Sequence, residues 1–206
     1  MSRRKVSNPL ALAVLACLYE RPMHPYEIAS TLRERHKDDS IKLNYGSLYS
    51  VVESLKGHGL IVEQQTAREG NRPERTVYEV TDAGRLELID WLSELLCRPA
   101  KEFTRFEAGL SLLPVLPPND VKSLLEERCR RLGVEIEQYR SLRKLISQER
   151  VPRLFWIESE YRMALREAEL NWTRGLIADI ESGTLEGMER WSEFHEALAQ
   201  GKPPLG

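Results

Sequence analysis

Apolar residues along the first 80 positions recur at spacings that predict three short helices followed by a β-hairpin. Asn8 is expected to cap the first helix, and Pro9 suits its first position because the proline ring already holds the helical φ angle. The helix ends at Arg21 and Pro22. Its apolar residues at helical spacing are Leu10, Val14, Leu15 and Leu18.

The second and third helices each carry one apolar stripe. The second opens near Pro25, and its inward residues are Ile28, Ala29 and Leu32. Asn44 is expected to cap the third helix, and Gly57 or Gly59 is expected to close it. The inward residues of the third helix are Leu48, Val51, Val52 and Leu55.

The next segment predicts a β-hairpin. The run LIVEQQT is rich in branched residues and is typical of a strand, and TVYEV is the return strand. Between them, AREGNRPER contains the turn residues Gly70, Asn71 and Pro73. Three helices and a hairpin within about 80 residues are the outline of a winged helix-turn-helix.

From Thr81 onward the pattern is helical throughout. One helix has apolar residues three or four apart, namely Leu86, Ile89, Leu92 and Leu96. Two helices of about 30 residues follow, from Asn119 or Asp120 to Glu149 and from Pro152 to Ser182, and they are expected to form an antiparallel pair. Their apolar repeats are Leu125, Cys129, Leu132, Ile136, Tyr139 and Ile146 in the first, and Leu154, Ile157, Tyr161, Leu165, Ala168, Trp172 and Leu176 in the second.

The expected fold class is therefore mainly α. A winged helix-turn-helix domain over residues 1–85 is followed by a helical, coiled-coil-like bundle over residues 86–200 and a disordered tail over residues 201–206. The first 85 residues carry 13 Lys and Arg against 11 Asp and Glu, and the remainder carries 17 against 21. A weakly basic front and an acidic rear favour contact with nucleic acid through the front.

Composition narrows the function class. No apolar run approaches a membrane span, and the apolar start of the chain is better explained as a buried helix than as a signal peptide, so a cytoplasmic protein with no membrane partner is expected. The three cysteines lie far apart in the sequence, and we expect each of them to be a small, buried apolar side chain. Neither they nor the four histidines have metal-ligand spacing, and no metal or cofactor is expected.

The third helix has the composition of a DNA recognition helix. Once its apolar stripe is set aside, polar residues occupy the accessible sides, as a helix in the major groove requires. Asparagine can bind adenine, and serine and tyrosine hydroxyls suit phosphate. Lys42 adds charge just before the helix. The candidate contacts are Lys42, Asn44, Tyr45, Ser47, Tyr49 and Ser50, with Glu53 also accessible. The alternative for both tyrosines is packing at the rim of the core.

The hairpin tip adds a basic wing. Arg68, Arg72 and Arg75 surround the Gly-Asn-Arg-Pro turn, where arginine can follow phosphates or enter the minor groove. The alternative is that they are ordinary solvated arginines.

On these residues the sequence resembles the PadR-like transcriptional regulators. The most specific stretches are GSLY, from Gly46 to Tyr49, and the R-P-x-R-T-x-Y-x-x-T pattern from Arg72 to Thr81. The rear resembles the long, two-domain branch of that family, which has a virulence-activator-type C-terminal helical domain. The resemblance implies a homodimer that binds double-stranded DNA at a pseudo-palindromic operator, with a phosphate contact by Tyr49 and wing contacts by Arg72 and Arg75. It also implies dimerisation through the C-terminal helices.

A regulator of this kind is expected to be a repressor, and a small aromatic effector could release it from DNA. In some family members an aromatic residue of the helix after the wing stacks on a flat ligand, and Trp91 has that position here. The alternative is a tryptophan of the core or of the dimer interface.

Enzyme chemistry is not expected. The chain has no glycine-rich phosphate loop, no H-E-x-x-H pattern and no nucleophile elbow. Two other functions stay open: a winged-helix scaffold for protein interaction without specific DNA binding, and a helical bundle that sequesters a small molecule.

Overall fold

The structure, a computed structural model, describes residues 8–64 and 76–201. The chain divides into two compact units between Lys101 and Glu102, and each is described by itself. The first contains α1 (Pro9–Glu20), α2 (Pro25–Glu34), α3 (Tyr45–Gly57), β1 (Ile61–Gln64), β2 (Val77–Val80) and α4 (Asp82–Cys97). The second contains α5 (Arg105–Ser111), α6 (Pro118–Gln148), α7 (Ile157–Ser182) and α8 (Met188–Ala199). The predicted fold class, mainly α with a two-stranded wing sheet, is confirmed.

Helix α1 is the centre of the first unit. Its predicted cap is present, since the Asn8 side-chain Oδ1 accepts a hydrogen bond from the Leu10 N–H at 3.0 Å. The helix packs against α2, α3, α4 and β2, and it is apolar on nearly all sides because it lies among them. Its buried residues are Leu10, Ala11, Leu12, Ala13, Val14, Leu15, Cys17 and Leu18.

Helices α2 and α3 bury the stripes that the sequence predicts for them. Ile28, Ala29 and Leu32 of α2 are buried. So are Leu48, Val51, Val52 and Leu55 of α3. Helix α2 begins with a capping box, in which the His24 Nδ1 accepts from the Tyr26 N–H at 3.1 Å and the His24 N–H donates to the Glu27 carboxylate at 2.8 Å.

Strands β1 and β2 form an antiparallel pair in which Ile61 lies opposite Val80 and Gln64 lies opposite Val77. Strand β2 is also held on its other edge, because the Met23 and Tyr78 main chains exchange two hydrogen bonds of 3.1 and 3.0 Å. The base of the hairpin is thereby fixed to the segment between α1 and α2. The turn predicted at Gly70, Asn71 and Pro73 lies outside the described residues.

Helix α4 differs from the expectation in its buried face and in its place. It packs on α1 and β2, within the first unit, whereas the expected domain boundary between residues 85 and 86 assigned most of it to the rear. Its buried residues are Gly84, Leu88 and Trp91. The apolar repeat at Leu86, Ile89, Leu92 and Leu96 is exposed, because α1 covers the opposite side of the helix.

The three cysteines differ in burial, although all three were expected to be buried. Cys17 is buried, and burial raises the pKa of its thiol to about 11. Cys129 is half-buried. Cys97, at the end of α4, is exposed and is not one of the small buried side chains that the sequence led us to expect.

Helices α6 and α7 run antiparallel, because side-chain contacts pair ascending positions of α6 with descending positions of α7. Lys122 contacts Glu181 at 2.7 Å and Arg140 contacts Glu167 at 2.8 Å. One end of the pair is closed by α5 and α8, where Trp191 of α8 donates from its indole N–H to the Leu116 carbonyl at 2.9 Å. The buried residues at this end are Val121, Leu125, Ile180 and Trp191. The middle of the pair buries Leu132, Ile136 and Leu170.

The apolar repeat predicted for the second long helix is not the face that packs on α6. Leu170, Thr173 and Ile180 are the buried residues of α7. The exposed residues of the predicted repeat are Leu154, just before α7, and Ile157, Tyr161, Leu165, Ala168 and Trp172 within it. Helix α7 therefore has two apolar sides, and α6 covers only one of them.

Gly84 provides a test of the packing of α4. A Cβ atom at this position would lie 2.0 Å from the Leu60 carbonyl oxygen and 2.8 Å from the Val80 Cγ2 atom. Glycine to alanine inside a helix ordinarily stabilises it by roughly 0.5–1 kcal/mol. Here we expect Gly84→Ala to destabilise the protein by about 1–3 kcal/mol, because the backbones of α4 and Leu60 must separate. Thermal unfolding followed by circular dichroism measures the difference.

Gly57→Ala is the matched control, because a Cβ at Gly57 meets no atom within 4 Å. It should leave the unfolding temperature unchanged or slightly raised. Equal unfolding temperatures for the two variants would contradict the close approach at Gly84.

Candidate nucleic-acid interface

The N-terminus of α3 is exposed and capped by a side chain. The Asn44 Oδ1 accepts a hydrogen bond from the Gly46 N–H at 3.0 Å, so Asn44 is the N-cap that the sequence predicts. Asn44, Gly46 and Ser47 are exposed. The first N–H groups of a helix carry a partial positive charge that attracts anions, and here the residues around them are exposed. The cap also occupies one acceptor position of the Asn44 amide and leaves its NH₂ group able to donate.

Beyond the cap, the outer side of α3 is polar. Ser47, Tyr49, Ser50 and Glu53 are exposed, and half of the Tyr49 side chain is accessible. The Ser50 hydroxyl donates to the Gly46 carbonyl at 3.1 Å, which turns it toward its own helix. The buried stripe of α3 thus lies on the core, and the predicted contact residues lie on the opposite side. This is the arrangement that a recognition helix requires.

Lys42 is exposed in the segment that leads into α3. Its neighbours Ile41 and Leu43 are partly buried against the core of the first unit. Their burial fixes the segment and leaves the lysine in solvent near the start of the helix. The structure therefore brings Lys42, Asn44, Ser47, Tyr49 and Ser50 to one end and one side of α3.

Three predicted contacts cannot be placed in the same way. Arg72 and Arg75, together with Arg68, lie outside the described residues. The Tyr45 side chain lies outside them as well, although its backbone begins α3. Contact between these side chains and DNA stays a prediction from the sequence.

Two side-chain links, which the sequence analysis did not identify, join α3 to the base of the wing. The Lys56 Nζ contacts the Glu63 carboxylate of β1 at 2.5 Å, and this hydrogen bond raises the pKa of the lysine. The Tyr78 hydroxyl of β2 donates to the Glu53 carboxylate of α3 at 3.3 Å. Burial and the nearby carboxylates of Glu53 and Glu63 raise the pKa of Tyr78.

The sequence of the first unit matches that of a known protein family. Residues 14–90, from within α1 to within α4, match the family described as the transcriptional regulator PadR-like family. The chain carries a PadR-like transcriptional regulator domain. No curated protein has a sequence that matches the chain.

Solved structures share the fold of the PadR-like domain and extend the similarity past it. PadR of Bacillus subtilis in complex with operator DNA is 18% identical, with a TM-score of 0.64 over 84% of this chain and 99% of that chain. PadR of Bacillus subtilis in complex with p-coumaric acid is 19% identical, with a TM-score of 0.63 over 84% and 98%. The Vibrio cholerae virulence activator AphA is 18% identical, with a TM-score of 0.61 over 84% and 98%. At identities this low, the TM-scores show that the proteins share a fold, and the likeness shows the fold alone.

Among residues 8–64 and 76–201, no group of histidine, cysteine, aspartate and glutamate side chains is arranged to hold a metal ion. Over those residues, no helix is both long enough and apolar enough to cross a membrane.

Trp91, the candidate effector contact, belongs to the core of the PadR-like domain. Its side chain is only 5% exposed, and it lies in the same buried cluster as Leu88 and the apolar residues of α1. A ligand could stack on the indole only if neighbouring side chains moved. Trp91 therefore lies where a core tryptophan would lie, which was the alternative to a ligand contact.

Trp91→Ala tests this placement. Removal of a buried aromatic side chain should lower the free energy of unfolding by about 3–5 kcal/mol, because the surrounding core fills the resulting cavity only in part. Trp91→Phe, which retains most of the buried area, should lose much less. Denaturant unfolding of the two variants gives the values. A Trp91→Ala protein as stable as the wild type would show that the side chain is not part of the core.

Proposed function

We propose that this chain is a DNA-binding transcriptional regulator that binds a pseudo-palindromic operator as a homodimer, through α3 and the wing of each protomer. The observation that carries the proposal is the outer side of α3: a capped, exposed N-terminus followed by exposed polar side chains, on a domain of the PadR-like family. The complex of Bacillus subtilis PadR with operator DNA supports it through the shared fold. A winged-helix scaffold for protein interaction would not need this polar surface.

The geometry suggests a role for each contact. The NH₂ group of Asn44 and the N–H groups of the α3 N-terminus are donors, and donors at this place suit phosphate oxygens. Tyr49 is exposed on the outer side of α3, and its hydroxyl can donate a hydrogen bond to a DNA phosphate. Lys42 adds a charge at the helix start. Ser47 is exposed and is the candidate for contact with a base edge, directly or through a water molecule.

The wing arginines test the proposal most directly. We expect Arg72→Glu with Arg75→Glu to abolish specific binding, because two phosphate contacts become repulsive on each protomer. Fluorescence anisotropy of the chain's own promoter DNA across a salt series measures it. The logarithm of the wild-type association constant should fall with the logarithm of salt concentration, with a slope of roughly −0.9 per neutralised phosphate.

Arg130→Glu with Arg131→Glu is the matched control. It makes the same change in net charge on exposed side chains of α6, and it should leave operator binding within about two-fold of the wild type. Retained binding by the wing variant would contradict the wing assignment. Equal, weak binding of wild type to promoter and random DNA at low salt would contradict the regulator function itself.

Dimerisation is proposed through the uncovered apolar side of α7. The stripe from Ile157 to Trp172 is exposed over four helical turns, and exposed apolar stripes of this length mark protein interfaces. A second copy of the chain presents the same stripe, so that the two can pair about a two-fold axis. A dimer would then place two recognition helices on one operator.

Leu165→Glu should convert the dimer to a monomer, because a charge in the centre of the stripe loses its hydration on association. Leu124→Glu on α6 is the matched control, since Leu124 is 57% exposed and Leu165 is 51% exposed. Size-exclusion chromatography with light scattering distinguishes the two. A Leu165→Glu protein that remains dimeric would place the interface elsewhere on the chain, and a monomeric wild type would remove the dimer from the proposal.

We further infer that the protein acts as a repressor whose release from DNA is controlled by a small aromatic effector. The p-coumaric acid complex of Bacillus subtilis PadR supports this through the shared fold. An effector acts only if it binds one arrangement of the recognition helices better than the other. Two helices that read successive major grooves must lie about 34–36 Å apart, so an effector that changes their spacing would weaken operator binding. Titration of aromatic acids into the operator complex tests it.

A further inference from the structure

The base of the wing is attached to the recognition helix by two polar links. Lys56 and Glu63 join α3 to β1 with a 2.5 Å contact, and Tyr78 and Glu53 join β2 to α3 with a 3.3 Å hydrogen bond. The two strands are neighbours in the sheet, and Glu63 lies opposite Tyr78 in their register. Both links therefore leave the hairpin at the same level and reach α3 within one turn of each other.

The strand side of the links is held firmly. Tyr78 is 6% exposed, and its main chain makes two hydrogen bonds to Met23. Ile61 and Val80, which pair with each other, are also buried in the core. The Tyr78 hydroxyl is consequently presented to α3 from a fixed strand, and its partner Glu53 is held on the accessible side of the helix.

The helix side of the links continues the surface proposed to bind DNA. Tyr49 and Glu53 are four residues apart, and Lys56 follows three residues later, so that all three lie along one edge of α3. The links thus occupy the edge between the recognition helix and the wing, one and two turns after Tyr49.

We propose that Glu53 and Lys56 are positioning residues for DNA binding, which fix the wing to the recognition helix through Tyr78 and Glu63. The inference rests on the proposed function and names what orients the two DNA-contacting elements. Helix and wing must reach the groove and the flanking phosphates together. If the angle between helix and wing is already fixed in the free protein, DNA binding does not have to order them, and the entropy cost of binding is smaller.

The charges on these residues distinguish positioning from direct contact. Lys56 is matched by Glu63, so its charge is already neutralised within the protein. If Lys56 instead bound a phosphate, Glu63 would compete for it, and Glu63→Gln would strengthen DNA binding. If the pair positions the wing, Glu63→Gln weakens operator binding, although it removes a negative charge from a protein that binds a polyanion.

Tyr78→Phe and a charge swap form the experiment, with operator binding measured by anisotropy on the full-length chain. Tyr78→Phe keeps the buried ring and removes only the hydroxyl. It should weaken operator binding by roughly two- to ten-fold, the range that corresponds to one hydrogen bond. Lys56→Glu alone should weaken binding, and Lys56→Glu with Glu63→Lys should restore it because the pair is re-formed in reverse. The swapped protein has the same net charge as the wild type.

A wing-deficient background supplies a readout that a purely structural role would not change. In Arg72→Ala with Arg75→Ala, the wing no longer contributes its contacts, so Tyr78→Phe, which leaves the net charge unchanged, should have little further effect on binding. Unfolding temperatures of all variants are measured in parallel, and binding is compared at a temperature at which every variant is folded. Residual operator binding by the background protein at low salt keeps the comparison measurable.

Three results would overturn the proposal. They are a gain of affinity in Glu63→Gln, a failure of the swap to restore binding, and losses of equal size with and without the wing arginines. These outcomes differ from failure of the proposed function, in which the wild-type protein itself does not distinguish operator from random DNA.

Discussion

Burial of α1 is the constraint on which the rest of the first unit depends. The helix is apolar on nearly every side and can be removed from water only if other elements surround it, and α2, α3, α4 and β2 do so. The inner stripe of α3 lies on this core, with Leu48 and Leu55 fully buried. The polar outer side of α3 is what that packing leaves exposed. The orientation of the proposed recognition helix therefore follows from the burial of a helix that is apolar on nearly every side.

A second constraint joins the wing to α4 at one short junction. The Thr81 N–H donates to the Leu60 carbonyl at 3.0 Å, and the Thr81 hydroxyl donates to the Gly59 carbonyl at 2.8 Å while it accepts from the Gly84 N–H at 3.0 Å. One side chain thus closes the end of β2, caps α4 and holds the loop after α3. The absence of a side chain at Gly84 allows α4 to approach Leu60 closely. With the Lys56 and Tyr78 links, this junction attaches the wing to α3 from both ends of the described strands.

The sequence predicts the elements well and their partners less well, and the reason is physical. The stripes of α2 and α3 are buried as predicted because each of these helices has a single apolar side. Helices α4 and α7 have two, and periodicity cannot distinguish the side covered within the chain from the side left for something else. In α7 the covered side contains Thr173, fully buried with its hydroxyl on the Glu169 carbonyl, and a hydropathy pattern does not single out such a residue. The links from Glu53 and Lys56 were missed because cross-element pairs depend on strand register, which no spacing in the sequence reports.

The apolar surface that the second unit leaves uncovered links the proposed dimerisation to the proposed DNA binding. Along its middle, α6 and α7 bury the apolar side chains of Leu132, Ile136 and Leu170 together with Thr173, while the stripe of α7 from Ile157 to Trp172 is exposed. Two helices form a single layer, and a stable domain needs a second layer to cover its apolar surface. The exposed arginine and glutamate contacts across the pair, such as Arg140 with Glu167, add little stability by themselves. If a second copy supplies the missing layer, the stability of this unit depends on protomer concentration. The same event that covers the stripe then brings two recognition helices together, so that the second unit of the proposed dimer is more stable than that of the monomer.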